Sequence, residues 1–221
     1  MNQLAIKSFA AKRHVLGHLV LIAVFSVFLS GTSHAASSKR IVQSFEAAEL
    51  ERIDFDISVA ELEIEVYDGD SVELDIQLRA DGGWWFFGRR DVDDVELEVS
   101  EGRDYLDLRL DEDNVEQEWR VRIPAHLAVS MELGVGEIEL AGMANDFLLE
   151  LGVGAVEVIT ADMDFDSVRI VTGVGDSSVR GFGNSTENER NIVGADSHYF
   201  GEGEHRIDIE VGVGDARVIR R

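Results

Sequence analysis

Carboxylates are the commonest groups in this chain that can do chemistry, and three runs of them crowd oxygen donors together. The runs are Asp162, Asp164 and Asp166; Asp91, Asp93 and Asp94; and Asp111-Glu112-Asp113-Asn114. A hard cation such as calcium needs several oxygens converging on one point. None of the runs follows an EF-hand loop, and none repeats the Gly-Gly-x-Gly-x-Asp nonapeptide of calcium-filled β-rolls. Aspartates at every second position of an extended strand project to one face, as a solvated face also does. No metal ligand and no cofactor is therefore assigned. Beyond residue 35 the histidines are His126, His198 and His205. The pattern places His198 on an inward ladder, one position past Ser197, as a partly buried, hydrogen-bonded imidazole and not a catalytic base. With no Gly-x-Ser-x-Gly, no His-Glu-x-x-His, no phosphate loop and no cysteine, the chain reads as a nonenzyme with no catalytic residue.

A different kind of chemistry is concentrated in Trp84, Trp85, Phe86 and Phe87, which stand between glycines and are followed by Arg89 and Arg90 in an otherwise acidic chain. Aromatic and arginine side chains dominate contact energetics, so this segment is the candidate partner contact. The competing reading buries alternate rings as a cover over one end of the fold. The segment Gly181–Asn191 lacks strand character and reads as a projecting loop.

The elements that must position these groups are strands. From Ile53 onward apolar residues fall at every second position: Ile53, Phe55, Ile57 and Val59, then after a one-residue slip Leu62, Ile64 and Val66, then Val72, Leu74, Ile76 and Leu78. Past Pro124 one motif recurs, as Leu133-Gly134-Val135-Gly136, Leu151-Gly152-Val153-Gly154, Thr172-Gly173-Val174-Gly175, Val193-Gly194-Ala195-Asp196 and Val211-Gly212-Val213-Gly214. Its first glycines are 18, 21, 21 and 18 residues apart. A strand-built period near twenty with glycines at one phase predicts an all-β, right-handed parallel β-solenoid with coils of 18–21 residues, turning at glycine corners. The apolar phase changes across each Gly-x-Gly, as a corner requires. Stacking the coils in chain order predicts two inward ladders, Val135, Val153, Val174, Ala195, Val213 and Leu140, Val158, Val179, Phe200, Val218. It also predicts that Glu137, Ala155, Asp176, Ser197 and Asp215 alternate acid with neutral residue, keeping like charges about 9–10 Å apart.

Those residues carry a resemblance. The segment Phe55–Asp70, the triplet Arg122-Ile123-Pro124 and the Gly-Val-Gly strands resemble the bacterial putative-adhesin β-strand-repeat family over most of residues 41–221. The resemblance implies an envelope-associated parallel solenoid with no known active site, so it supplies no functional residues to carry over.

Lys7, Lys12 and Arg13 precede an apolar run, Leu19–Leu29, and Ser33-His34-Ala35 supplies small residues before a cut after Ala35. This is the pattern of a secretory signal peptide. The expected organisation is a signal peptide at 1–35, a linker at 36–50 and one solenoid domain at 51–221. The mature chain is expected to be periplasmic or secreted, without an integral membrane span. Acidic residues outnumber Lys and Arg by 44 to 20, a net charge of -24, and all of the acids lie beyond residue 35. Such a surface repels phosphate backbones, which excludes nucleic acid as the partner. The reading reached is a noncatalytic envelope scaffold or adhesin-like interaction module whose partner is an unidentified envelope protein or glycan. The alternative is a calcium-dependent carbohydrate-binding or carbohydrate-active β-helix.

Overall fold

A computed structural model describes residues 38–80, 92–112, 114–183, 186–190 and 193–221. The strands are β1 (Ser38–Glu46), β2 (Arg52–Tyr67), β3 (Ser71–Ala80), β4 (Glu98–Glu101), β5 (Tyr105–Leu110), β6 (Val115–Pro124), β7 (Ala128–Met143), β8 (Phe147–Thr160), β9 (Ser167–Val174), β10 (Ser177–Arg180), β11 (Thr186–Arg190), β12 (Ala195–Phe200) and β13 (Arg206–Arg220), with a single 3-10 turn at Val92–Asp94 among the described residues. The period-two pattern explains them: Ile53, Phe55 and Ile57 are buried while the residues between them are not.

All the strands join one open, mixed sheet. Its centre is parallel. The neighbours run β2, β7, β8, β13 and β9 in register. On the far side of β2, β5 pairs with Arg52–Ile57 and β6 with Glu61–Tyr67. At the other end β10 extends the β9 rung along β13. Antiparallel strands flank this stack: β3 and β1 beyond β6, β4 beyond β5, and β12 and β11 beyond β9.

Each long strand changes its buried face halfway along. In β7, Met131 and Leu133 are buried, the chain is uncovered at Gly134 and Val135, and burial resumes at Ile138 and Leu140. The two halves turn toward each other and enclose one apolar cluster. Phe55 from a first half meets Trp119 from a second half edge to face, with ring centroids 6.4 Å apart. The indole N–H donates to Gln117 Oε1, and the Gln117 amide donates to the Glu112 carbonyl, so the buried polar atoms of that contact are satisfied.

Several expectations change. The sheet is not purely parallel, and its rungs are not stacked in chain order, because β13 lies between β8 and β9. The rungs β7, β8, β9 and β13 carry the same glycine phase and apolar pattern, so the pattern fixes register without choosing the neighbour. The fourth motif makes no corner: Ala195 is buried in an antiparallel pair with Thr172. Val135, Val153, Val213 and Val174 do form one column, but they stand outside, 46–49% exposed, because the chain bulges outward between the buried residues on either side. The second ladder is inward at Leu140, Val158, Val218 and Val179, whereas Phe200 is 68% exposed on β12. Within the segment expected to be a linker, Ser38–Glu46 is the strand β1, which pairs along its whole length with β3. Within Gly181–Asn191, Thr186–Arg190 is the edge strand β11.

Candidate interaction surface

The corner glycines are required by the neighbouring rung. A Cβ on Gly154 would lie 1.8 Å from the Gly136 carbonyl oxygen, and one on Gly214 would lie 1.7 Å from that of Gly154. Their φ angles, +149° and +143°, are also ones that L side chains rarely adopt. Along the stack each missing Cβ faces the preceding rung. The equivalent residues of β2 are Ser58, Val59 and Ala60, because the rung before it is broken there: β5 ends opposite Ile57 and β6 resumes pairing opposite Glu61. No strand pairs with Ser58–Ala60 on that side among the described residues, and side chains are accommodated there. A further glycine position, Gly194, has its own close neighbour, with a Cβ falling 2.3 Å from the Thr172 carbonyl oxygen. It belongs to the antiparallel flank.

These glycines leave a ridge of valines, Val59, Val135, Val153, Val213 and Val174, one per rung along the bend. Carboxylates line both sides. On the first side Asp56, Glu132, Glu150 and Glu210 are in register on four successive strands, about 4.8 Å apart. The end members are ion-paired, Asp56 with Arg109 at 3.4 Å and Glu210 with Arg169 at 2.9 Å. Among the described residues, Glu132 and Glu150 have no cationic partner. On the second side Glu61, Glu137, Ala155 and Asp215 follow one another. Two acids are therefore adjacent, which corrects the expected alternation. The Asp176 backbone N–H donates to Asp215 Oδ1 at 2.9 Å, so these two acids are neighbours too. Shallow grooves of about 550 Å³ follow the ridge on each side.

The other candidate groups do not converge. Asp162 pairs with Arg220 at 3.4 Å and Asp166 with Arg206 at 2.7 Å. Asp164 accepts from the Tyr199 hydroxyl and from the backbone N–H of Phe165 and Glu202. The Tyr199 hydrogen bond, with the two N–H groups, holds the Asp164 carboxyl below its ordinary value, and the same bond raises the Tyr199 phenol. Among the described residues no three His, Asp or Glu side chains are arranged to hold a metal ion. His198 is on the outward side of β12, with Nε2 2.7 Å from Asp196 Oδ1 and its ring stacked on Phe200. Ser197 and Tyr199 take the inward positions instead. His126 Nε2 lies 3.0 Å from the Ala47 carbonyl, and His205 Nδ1 lies 3.7 Å from Asp146. Trp84, Trp85, Phe86, Phe87, Arg89 and Arg90 lie outside the described residues, as do Asp91 and Asp113 and the segment assigned as a signal peptide. Among the described residues no helix is long and apolar enough to cross a membrane.

A wider depression, about 1200 Å³, opens beside β1, β3 and β6. Two of its arginines are ion-paired within it: Arg122 reaches Glu73 at 2.9 Å and Arg120 reaches Glu63 at 3.4 Å. The valines were expected as a column, though facing inward, and the row Asp56, Glu132, Glu150 and Glu210 was missed in sequence, since Glu210 joins it only because β13 lies beside β8.

No family model matches the chain, and no curated protein matches it. Among solved structures, it is similar to a putative cell adhesion protein from Clostridium sporogenes, with a TM-score of 0.50 and 15% identity over 84% of this chain and 100% of that one. It is also matched to a putative adhesin from Bacteroides fragilis, with a TM-score of 0.29 and 11% identity over 81% of this chain and 97% of that one. At these identities the first likeness concerns the fold.

Proposed function

We propose that the chain is a noncatalytic, exported interaction module of the cell envelope, adhesin-like in its use of an extended sheet surface and periplasmic or secreted after cleavage behind Ala35. The observation that carries this reading is the solvent-exposed valine ridge running across successive rungs of an open sheet. An apolar column exposed in register is a contact surface, and it is not the enclosed pocket that small-molecule chemistry uses. The name of the Clostridium sporogenes protein, a putative cell adhesion protein, agrees with this reading. We read the parallel rungs as a short solenoid interrupted by antiparallel flanks, with β7, the return at 144–146 and β8 forming one complete coil. The partner is an envelope protein or glycan, and the Trp84–Phe87 segment is a second contact.

The test is expression of the full sequence in a bacterium followed by fractionation and N-terminal sequencing. The reading predicts a mature chain starting at Ala36 outside the cytoplasm, and an uncleaved cytoplasmic chain contradicts it. Calcium separates the alternative reading. A thermal midpoint unmoved by millimolar calcium is expected here, whereas a calcium-dependent carbohydrate binder is stabilised by mass action.

A further inference from the structure

We infer that the valine ridge is a docking surface for an extended polypeptide segment rich in both basic and apolar side chains. The inference rests on the interaction-module reading and names the chemistry of its partner. Val135, Val153, Val213 and Val174 are each nearly half exposed and stand one per rung. The shallow grooves on both sides leave room for a partner chain laid along the ridge.

Charge selects the occupant. The shallow groove on one side is walled by Asp56, Glu132, Glu150 and Glu210, with no Lys or Arg in its lining, whereas the other, which begins at Glu137 and Asp215, is also lined by Arg180, Arg190 and Arg217, so the first groove carries the selection. Arg109 and Arg169 neutralise only the ends of the first row. Glu132 and Glu150 stay side by side without a cation among the described residues, although stacking alone brings them together. A second copy of this chain would set carboxylate rows against carboxylate rows, and phosphate polymers or anionic lipid would meet the same repulsion. Lys or Arg side chains reaching down to the rows, with apolar side chains on the valines, satisfy both features at once.

The experiment uses the protein purified after expression of the full sequence, and reads anisotropy of short fluorescein-labelled peptides at low and physiological salt. The probe alternates Lys and Val. The controls alternate Glu and Val, and Lys and Ser. Saturable binding of the Lys–Val peptide alone is expected. It should weaken by about tenfold or more in Val153→Ser/Val213→Ser, and likewise in Glu132→Gln/Glu150→Gln. Both variants alter exposed side chains, and circular dichroism checks that each keeps the wild-type fold.

No saturable binding overturns the inference. So does equal binding of the Lys–Ser peptide, which is attraction to net charge alone. A concentration-dependent dimer abolished by Val153→Ser/Val213→Ser also overturns it, by making a second copy the occupant. An exported, cleaved chain that ignores the peptide refutes the docking surface and leaves the wider reading standing. A chain retained uncleaved in the cytoplasm refutes the wider reading whatever the peptide does.

Discussion

At the scale of single residues, the backbone of one rung dictates the side chain of the next. Gly154→Ala drives a methyl into the Gly136 carbonyl oxygen at an unfavourable φ. We expect a loss of about 3 kcal/mol or more in urea unfolding, the sum of overpacking and backbone strain. Gly183→Ala is the control, since its φ is +90° but nothing lies within 4 Å of the added carbon. That change should cost only the left-handed penalty, roughly 1–2 kcal/mol. The Tyr199–Asp164 hydrogen bond makes stability depend on pH at both ends. The Asp164 carboxyl is held below its ordinary value of 3.8, so its contribution is complete above that pH and is lost as pH falls through the folded value. The Tyr199 phenol is raised above its ordinary 10.0, so its contribution is complete below that pH and is lost as pH rises through the folded value. Tyr199→Phe should therefore flatten both limbs of a plot of thermal midpoint against pH, more fully the alkaline limb. Unchanged limbs would show that the bond is not formed.

Among the elements, β13 matters most, because it is the last strand in the chain and an interior strand of the sheet. In a stack built in chain order, removing the final rung shortens the fold and leaves the rest intact. Here truncation after His205 removes the strand that pairs β8 on one side and β9 on the other. We expect cooperative loss of β-sheet circular dichroism or gross protease sensitivity beyond β8. A truncated chain with native-like dichroism and protection of Ser167–Phe200 would count against the assigned order. What could be read from sequence at this scale follows physical contrast. The strongly alternating strands β2, β3, β7 and β8 announce themselves, and so does the change of face at each Gly-x-Gly. The edge strand β1 did not, because it packs only Ile41 and Phe45 partly against the core and leaves Val42 exposed. For β11, Thr-Glu-Asn-Glu-Arg carries no apolar residue at all, and only its pairing with β12 makes it a strand.

For the whole molecule, the chain folds as a bent parallel stack edged by antiparallel strands, and its surface chemistry follows from which rungs touch. The register of the valines was legible from the glycine motif, but the side they face was not. Alternation carried past Leu133 points Val135 inward, and only the outward bulge at the bend reverses it. The neighbours within the carboxylate rows were illegible for a similar reason, since inserting β13 beside β8 brings Glu210 next to Glu150 and sets Asp215 beside Asp176. Because the chain has no cysteine, paired substitutions on the exposed ridge report rung order without interference. Oxidation of Val153→Cys/Val213→Cys and of Val153→Cys/Val174→Cys, followed by nonreducing electrophoresis and peptide mapping, is the most direct measurement. Adjacent parallel rungs lie about 4.8 Å apart, within disulfide reach, and rungs two apart lie at about 9.6 Å, beyond it. The account predicts an intramolecular disulfide in the 153/213 pair and none in the 153/174 pair. The reverse result would place the rungs in chain order and contradict it.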